Sequence, residues 1–194
     1  LGDWKVNLDK LPNGLNGLAE RINELGIKFG LWFEPEMISI DSDLYREHPD
    51  WAIHIEGRLP IYSREQLVLD LTKQEVCDYI IDSVSSILES ANITYVKWDM
   101  NRNITNIPEG LANDQCFEFH QRYMLGQYRV LVHLTKRYPD ILFESCAGGG
   151  GRNDLGIMYY MPQAWASDDT DAIERLSIQE CTSLIYPPSS IGAH

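Results

Sequence analysis

The stretch KWDMN, which begins at Lys97, places a cation, a carboxylate and an amide at alternate positions after an apolar run. In a β-strand this alternation turns Lys97, Asp99 and Asn101 to one side and Trp98 and Met100 to the other. A carboxylate with a lysine two residues away is expected to stay ionised, because a nearby cation lowers the carboxyl pKa. A nucleophile needs that charged state. A structural ion pair and a Schiff-base lysine at Lys97 are the alternative interpretations.

A second acidic cluster, SDDTDA, brings Asp168, Asp169 and Asp171 close together. Three carboxyl groups at this spacing cannot all ionise at low cost, so we expect one of them to have a raised pKa, which suits a general acid. The same residues also form a good N-terminal cap for the helix that follows. Both interpretations hold if Asp168 points into a site while Asp169, Thr170 or Asp171 supports the helix start.

Runs of β-branched and aromatic residues alternate with helical patterns along the chain. This order predicts a parallel sheet with crossover helices. The predicted strands are 27–36, 67–72, 93–100, 141–147, 164–169 and 189–194, and the predicted helices are 13–26, 72–90, 113–137 and 171–185. Thr72, followed three residues later by Glu75, has the pattern of a capping box at the start of the second helix.

Polar residues close nearly every predicted strand, and they favour a barrel over an open sheet. A (β/α)8 barrel gathers its chemistry from many strand ends, whereas an open sheet concentrates its ligand at one switch point. A whole barrel usually needs about 250 residues. Residues 1–194 are therefore predicted to form an incomplete (β/α)8 TIM barrel that lacks at least one strand at each end. The strand-end residues are Glu34, Glu36, Asp70, Asp99, Glu144, Cys146, Asp168 and Asp169.

Composition argues against several classes of protein. The net charge of −13 argues against nucleic acid or an anionic membrane as the main partner, and no apolar run approaches the roughly 18 residues of a membrane span. The four cysteines include no C-x-x-C pair, which disfavours a zinc site and favours free thiols in a reducing compartment, so we expect a cytoplasmic protein. The chain opens without an initiator Met, and we interpret it as a piece of a longer protein.

Two further features indicate a sugar ligand. The chain has five tryptophans, and the flat apolar faces of sugars stack on aromatic rings. The segment ESCAGGGGR puts four glycines directly after a predicted strand, which allows backbone N–H groups to approach a ligand closely. Two carboxyl groups on different strands, one charged and one protonated, are the minimum set for retaining glycoside hydrolysis.

Taken together, six motifs resemble the bacterial-type α-galactosidases of glycoside hydrolase family 36. They are GLWFEPEM, HPDW, QLVLDLT, VKWDMNR, ESCAGGGGR and WASDDTDA, and they run in the family's order through essentially the whole chain. The combination of KWD-x-N with SCAGGG is the most specific part. The resemblance implies that the chain covers approximately strands two to seven of the family's catalytic barrel.

The resemblance also implies a role for each matching residue. Asp99 would be the nucleophile that forms a covalent galactosyl-enzyme, and Asp168 would be the acid/base. Lys97 and Asn101 would hydrogen-bond galactose hydroxyls, with Lys97 also keeping Asp99 anionic. The other implied pocket residues are Trp32, Arg64, Cys146, Gly148 and Trp165. Cys146 and Gly148 would lie near the 2-hydroxyl, where small side chains leave no room for an N-acetyl group.

The expected activity is hydrolysis of terminal α-galactosides such as melibiose or raffinose, with retention and without a metal or cofactor. The family's aspartate pair on the first barrel strand would lie before Leu1, and its flanking N- and C-terminal β-domains are expected to be absent here. The partner is a small oligosaccharide, and we expect the parent protein to be a homo-oligomer. The alternatives are a galactosyl-transferring relative of the raffinose- or stachyose-synthase type, and a non-catalytic sugar-binding fragment.

Overall fold

The structure, a computed structural model, describes residues 1–55, 57–107 and 116–192. Its helices are α1 Gly14–Glu24, α2 Asp43–Glu47, α3 Gln74–Glu89, α4 Phe119–Arg137, α5 Leu155–Met158 and α6 Ala172–Ser183. Its strands are β1 Gly30–Phe33, β2 Met37–Ile38, β3 Leu67–Val68, β4 Tyr95–Trp98, β5 Leu142–Ser145, β6 Gln163–Trp165 and β7 Ile191–Gly192. Short 3-10 helices cover Pro49–Trp51, Cys116–Glu118 and Pro188–Ser190.

One parallel sheet forms the centre of the molecule, with its strands in the order β1, β4, β5, β6, β7. Every strand of this sheet lies beside the next one along the chain, and the order does not reverse. A barrel has this order, whereas a doubly wound sheet reverses at its switch point. The predicted fold class, an incomplete (β/α)8 barrel, is confirmed.

The predicted strand 67–72 is wrong as a member of the parallel sheet. Its first two residues form β3, which pairs antiparallel with β2 in a separate two-stranded sheet. In the described part of the chain the parallel sheet therefore has five strands, where the sequence predicted six. A short apolar run has the same periodicity in either setting, so its pattern does not reveal which strand it pairs with.

Asp70 and the predicted capping box need a related correction. The Asp70 carboxylate accepts hydrogen bonds from the Thr72 amide at 3.0 Å and from the Thr72 hydroxyl at 2.7 Å. The hydroxyl therefore does not cap α3, whose N-cap residue is Lys73 without a side-chain hydrogen bond. Asp70 supports the turn into α3 instead of closing a barrel strand.

Most of the other predicted elements are present within their predicted bounds, and β6 begins one residue earlier than predicted, at Gln163. Their outermost predicted residues belong to the connections between the elements. The helix predicted over 113–137 is observed as α4, and its first three predicted positions lie outside the described residues. The strand predicted over 189–194 is observed as β7, and positions 193 and 194 lie outside them too.

Helix packing decides which face of β4 carries polar residues. Trp98 is fully buried and shares the Glu36 carboxylate with Tyr123 of α4, so this face of β4 is turned to the helices. Alternation along the strand then turns Lys97 and Asp99 to the opposite face. None of the helices within the described ranges is long and apolar enough to cross a membrane.

Candidate active site

Asp99 follows β4 directly and is buried, with 6% of its surface exposed. Its Oδ2 accepts hydrogen bonds from Trp32 Nε1 at 3.0 Å and Asn101 Nδ2 at 2.7 Å, and its Oδ1 accepts one from the Met100 amide at 2.9 Å. Burial raises the pKa of the carboxyl, but these bonds and one from Cys146 outweigh burial and lower the pKa below its ordinary value. Asp99 is therefore held in the charged form that a nucleophile needs.

Lys97, which was predicted to keep Asp99 charged, has a different partner. Its Nζ lies 3.2 Å from Oε1 of Glu144 and 4.2 Å from the ring centroid of Trp165. The charge on Asp99 therefore follows from neutral hydrogen-bond donors and not from an ion pair with Lys97. The spacing along β4 indicated the correct face of the strand, but it does not indicate which of two carboxylates on that face the lysine contacts.

Asn101 connects three parts of the site. Its backbone N–H donates to Glu34 Oε1 at 2.8 Å, and its side-chain Oδ1 accepts a hydrogen bond from the backbone N–H of Gly148 at 3.1 Å. The same side chain donates to Asp99 Oδ2. Because a backbone N–H can only donate, the Asn101 oxygen must face Gly148, and its NH₂ group is left for Asp99.

The glycine-rich loop after β5 lies against this amide and is anchored from behind. Gly148 and Gly149 have φ of 57° and 85°, in the left-handed region that favours glycine. Arg152 then donates to the buried Glu36 carboxylate from both terminal nitrogens, at 2.9 and 2.8 Å. Burial raises the pKa of the Cys146 thiol to about 12, so Cys146 is a neutral hydrogen-bond donor to Asp99.

Two acids of the cluster after β6 support the start of α6, as predicted. Asp171 caps α6, with its Oδ1 accepting from the amides of Ile173 at 2.9 Å and Glu174 at 3.1 Å. Asp169 accepts from the Asp171 amide at 2.9 Å and thereby supports the same turn. Asp168 instead lies on the wall of a cavity. That one carboxyl of this cluster is protonated stays a prediction.

The cavity measures about 330 Å³, and its wall includes Arg64, Asn101, Asn103, Gly148 and Asp168. Its volume falls within the range of about 300–1,000 Å³ that small-molecule sites usually have. Arg64 reaches it from a tight turn in which Arg64 and Glu65 have φ of 54° and 58°. Left-handed backbone is unfavourable for such residues, so this turn is strained. No cluster of three or more His, Cys, Asp or Glu side chains within the described ranges is arranged to hold a metal ion.

Two buried acids contact predicted site residues without having been assigned to the site. Glu34 accepts from the Asn101 amide, and Glu144 pairs with Lys97. Both were noted in the sequence as polar strand-end residues. A stronger signal was available, because a charged residue next to apolar strand positions must find a partner to offset the cost of burial.

Comparisons with known proteins identify the family of the chain. A family model described as Melibiase matches residues 1–194. The chain is 60% identical to the α-galactosidase AgaA of Geobacillus stearothermophilus and 57% identical to the α-galactosidase Mel36A of Lactobacillus acidophilus. Both alignments cover 100% of this chain and 27% of the relative. The chain thus spans about a quarter of the length of these curated relatives.

Solved structures give the same result. A variant of AgaA in complex with raffinose superposes with a TM-score of 0.96 at 59% identity, covering 100% of this chain and 27% of the other. The α-galactosidase of Lactobacillus brevis gives a TM-score of 0.94 at 53% identity, covering 98% and 26%. The resemblance to glycoside hydrolase family 36 is therefore confirmed, and the chain belongs to the Melibiase family.

Proposed function

We propose that the protein to which this chain belongs is a retaining α-galactosidase. Its substrates would be oligosaccharides with terminal α-linked galactose, such as melibiose and raffinose. The observation that carries the proposal is the ionised Asp99 carboxylate, whose partner Asn101 lies on the wall of the same cavity as Asp168. The relatives support this class of reaction, since they are named α-galactosidases and one of them is solved with raffinose.

In the first step the Asp99 carboxylate attacks the anomeric carbon of galactose. The glycosidic bond breaks, and Asp168 gives its proton to the departing oxygen. In the second step Asp168 takes a proton from water, and the water oxygen bonds to the anomeric carbon. The bond between that carbon and Asp99 breaks, which releases α-galactose and restores the Asp99 carboxylate. This assignment requires the two carboxyl groups to lie roughly 5–5.5 Å apart, which is the spacing of retaining enzymes.

The remaining residues would hold the sugar. In the proposal Lys97 and Asn101 bind its hydroxyls, while Trp32, Arg64 and Trp165 line the pocket. Cys146 and Gly148 would lie at the 2-hydroxyl, and their small size favours galactose over N-acetylgalactosamine. Gly148 has left-handed backbone, which resists replacement by a larger residue. The chemistry proposed here calls for no metal or cofactor.

The test is azide rescue of two variants of the whole protein, Asp99→Ala and Asp168→Ala, on an activated aryl α-galactoside. Without azide we expect Asp99→Ala to lose turnover by roughly 10³-fold or more. With azide, Asp99→Ala should give β-galactosyl azide, because azide replaces the missing nucleophile. Asp168→Ala should give α-galactosyl azide, because azide intercepts the covalent β-linked intermediate. The configuration of each adduct is measured by proton NMR.

Asp78→Ala is the matched control, because Asp78 is an exposed acid on α3. It should retain turnover and give no azide adduct. If Asp99→Ala gave α-galactosyl azide and Asp168→Ala gave β-galactosyl azide, the roles of Asp99 and Asp168 would be reversed. If the wild-type protein binds raffinose without hydrolysing it, the proposed activity is refuted and the alternative of a sugar-binding protein is supported.

A further inference from the structure

Glu144 is a buried carboxylate in β5 for which the proposed reaction has no role, with 4% of its surface exposed. In the sheet register its neighbours are Lys97 of β4 and Gln163 of β6. Residues in register on adjacent parallel strands turn their side chains to the same face. The cation, the carboxylate and the amide therefore form a polar row across three strands.

The two oxygens of Glu144 have different partners. Oε2 accepts hydrogen bonds from the Tyr95 hydroxyl and, at 3.1 Å, from Gln163 Nε2. Oε1 forms an ion pair with Lys97 Nζ at 3.2 Å and accepts no hydrogen bond from the residues that the structure describes. Tyr95 and Gln163 thus fix the orientation of the carboxylate, so that its second oxygen meets the lysine.

Lys97 has a reason to need such a partner. Its ammonium is a point charge on a flexible four-carbon stem, and Asp99 is a second carboxylate on the same face of β4. A lysine that paired with Asp99 would cover the oxygen that has to attack the sugar. Lys97 is instead held away from Asp99 by Glu144 on one side and by the Trp165 ring, which lies 4.2 Å from the ammonium.

We infer that Glu144 is a positioning residue, which directs the Lys97 ammonium toward the sugar hydroxyls and keeps it off the nucleophile. This inference rests on the proposed function, in which Lys97 binds galactose. Because Glu144 acts through Lys97, its removal should weaken substrate binding more than it slows the chemical steps.

The test is the Glu144→Gln variant of the whole protein, assayed with an aryl α-galactoside. We expect kcat/KM to fall about tenfold or more, with most of the loss in KM. The matched control is Glu89→Gln on the helix layer. Glu89 also accepts from a cation and a tyrosine, Arg137 at 2.6 Å and Tyr138 at 2.8 Å, and its loss should leave kcat/KM unchanged.

A double-mutant cycle with Lys97→Met separates positioning from general structural damage. In the Lys97→Met background, Glu144→Gln should cost less than about threefold in kcat/KM, because the residue through which it acts is already gone. Equal losses in both backgrounds would overturn the inference, and so would a Glu144→Gln enzyme with wild-type kcat/KM.

Two further outcomes are covered by the same design. If Glu144→Gln does not fold, Glu144→Asp, which keeps the charge but withdraws it by one methylene, enters the cycle with the same criteria. If the wild-type protein does not hydrolyse galactosides, the proposed function fails and not this inference. The cycle is then read from galactose affinity by calorimetry, where the coupling of Glu144 to Lys97 is expected to persist.

Discussion

At the scale of single residues, the charge on Asp99 depends on the donors that surround it. Trp32 and Asn101 both donate to Oδ2, and each bond stabilises the anion more than the neutral acid. Asn101 cannot turn away, because Glu34 and Gly148 hold its backbone and its side-chain oxygen. Trp32 is the donor that can be removed with the least disturbance to the rest of this network.

Replacing Trp32 with phenylalanine in the whole protein should move the acid limb of the pH profile of kcat/KM to higher pH. The wild-type pKa of Asp99 is lowered, and loss of a donor to the charged form brings it back up. Asp99 then becomes protonated, and inactive as a nucleophile, at a higher pH than in the wild type. The acid limb of kcat/KM reports this titration in the free enzyme.

Trp51→Phe is the control for this experiment, because the Trp51 ring stacks on His48 with a centroid separation of 4.1 Å and has no hydrogen bond to Asp99 in the described structure. Its acid limb should coincide with that of the wild type. A Trp32→Phe limb that also coincides would mean that the indole does not set the charge of the nucleophile.

Strand alternation is a local property, which is why the sequence could predict that Lys97, Asp99 and Asn101 share a face. The partner of Lys97 could not be predicted in the same way. It depends on the register between β4 and β5, two strands separated by the whole of α4. A contact of this kind is fixed by the packing of the sheet and leaves no periodic trace in either segment.

At the scale of elements, the loop after β5 determines where the loop after β6 lies. A Cβ added to Gly149 would be 2.7 Å from Ser167 Cα and 3.0 Å from the Asp168 amide, so the two loops touch backbone to backbone. The Gly150 amide also donates to the Ala166 carbonyl at 3.0 Å. The glycines therefore set the position of the proposed acid/base, which is a role beyond backbone flexibility.

The Gly149→Ala variant of the whole protein should displace Asp168 and lower kcat for raffinose by about 100-fold, since a shift of about 1 Å is enough for such a loss. The loss should be smaller for an aryl galactoside with a good leaving group, because departure of that group does not need a proton. Steady-state kinetics on the two substrates measure the difference.

Gly26→Ala supplies the matched control, because Gly26 has φ of 75° and an added Cβ would meet nothing within 4 Å. It introduces the same left-handed strain without a clash, so stability should fall while kcat on both substrates is kept. Equal kcat losses for raffinose and the activated substrate in Gly149→Ala would show that displacement of the acid is not the cause.

The sequence predicted this pair of loops only as two separate features, a glycine run open to close approach by a ligand and an acidic cluster that caps a helix and supplies an acid. Their contact depends on the pairing of β5 with β6. The elements themselves were easier to predict, because a helix such as α3 repeats its apolar positions every three or four residues. The exception was the run at 67–72, which is too short and too apolar to indicate its own partner.

At the scale of the whole molecule, the parallel sheet has two edge strands, since β1 pairs only with β4 and β7 only with β6 among the described residues. Apolar side chains are exposed beside the β7 edge. Ile173, Leu176, Leu184 and Ile185, on or just after α6, have between 69% and 80% of their surface exposed. This surface is the physical counterpart of the predicted incomplete barrel, because in a closed barrel every strand has two neighbours.

We therefore expect residues 1–194, prepared alone, to self-associate through this surface. The net charge of −13 opposes association at low ionic strength, so the association should be stronger in high salt, where that repulsion is screened. Sedimentation velocity at several concentrations and two salt levels measures the effect.

The double variant Leu176→Lys with Ile185→Lys should shift the population toward monomer. Leu59→Lys, at a site 92% exposed in the segment before β3, should not. If residues 1–194 stay monomeric in high salt, the exposed apolar surface beside the open edge does not drive self-association.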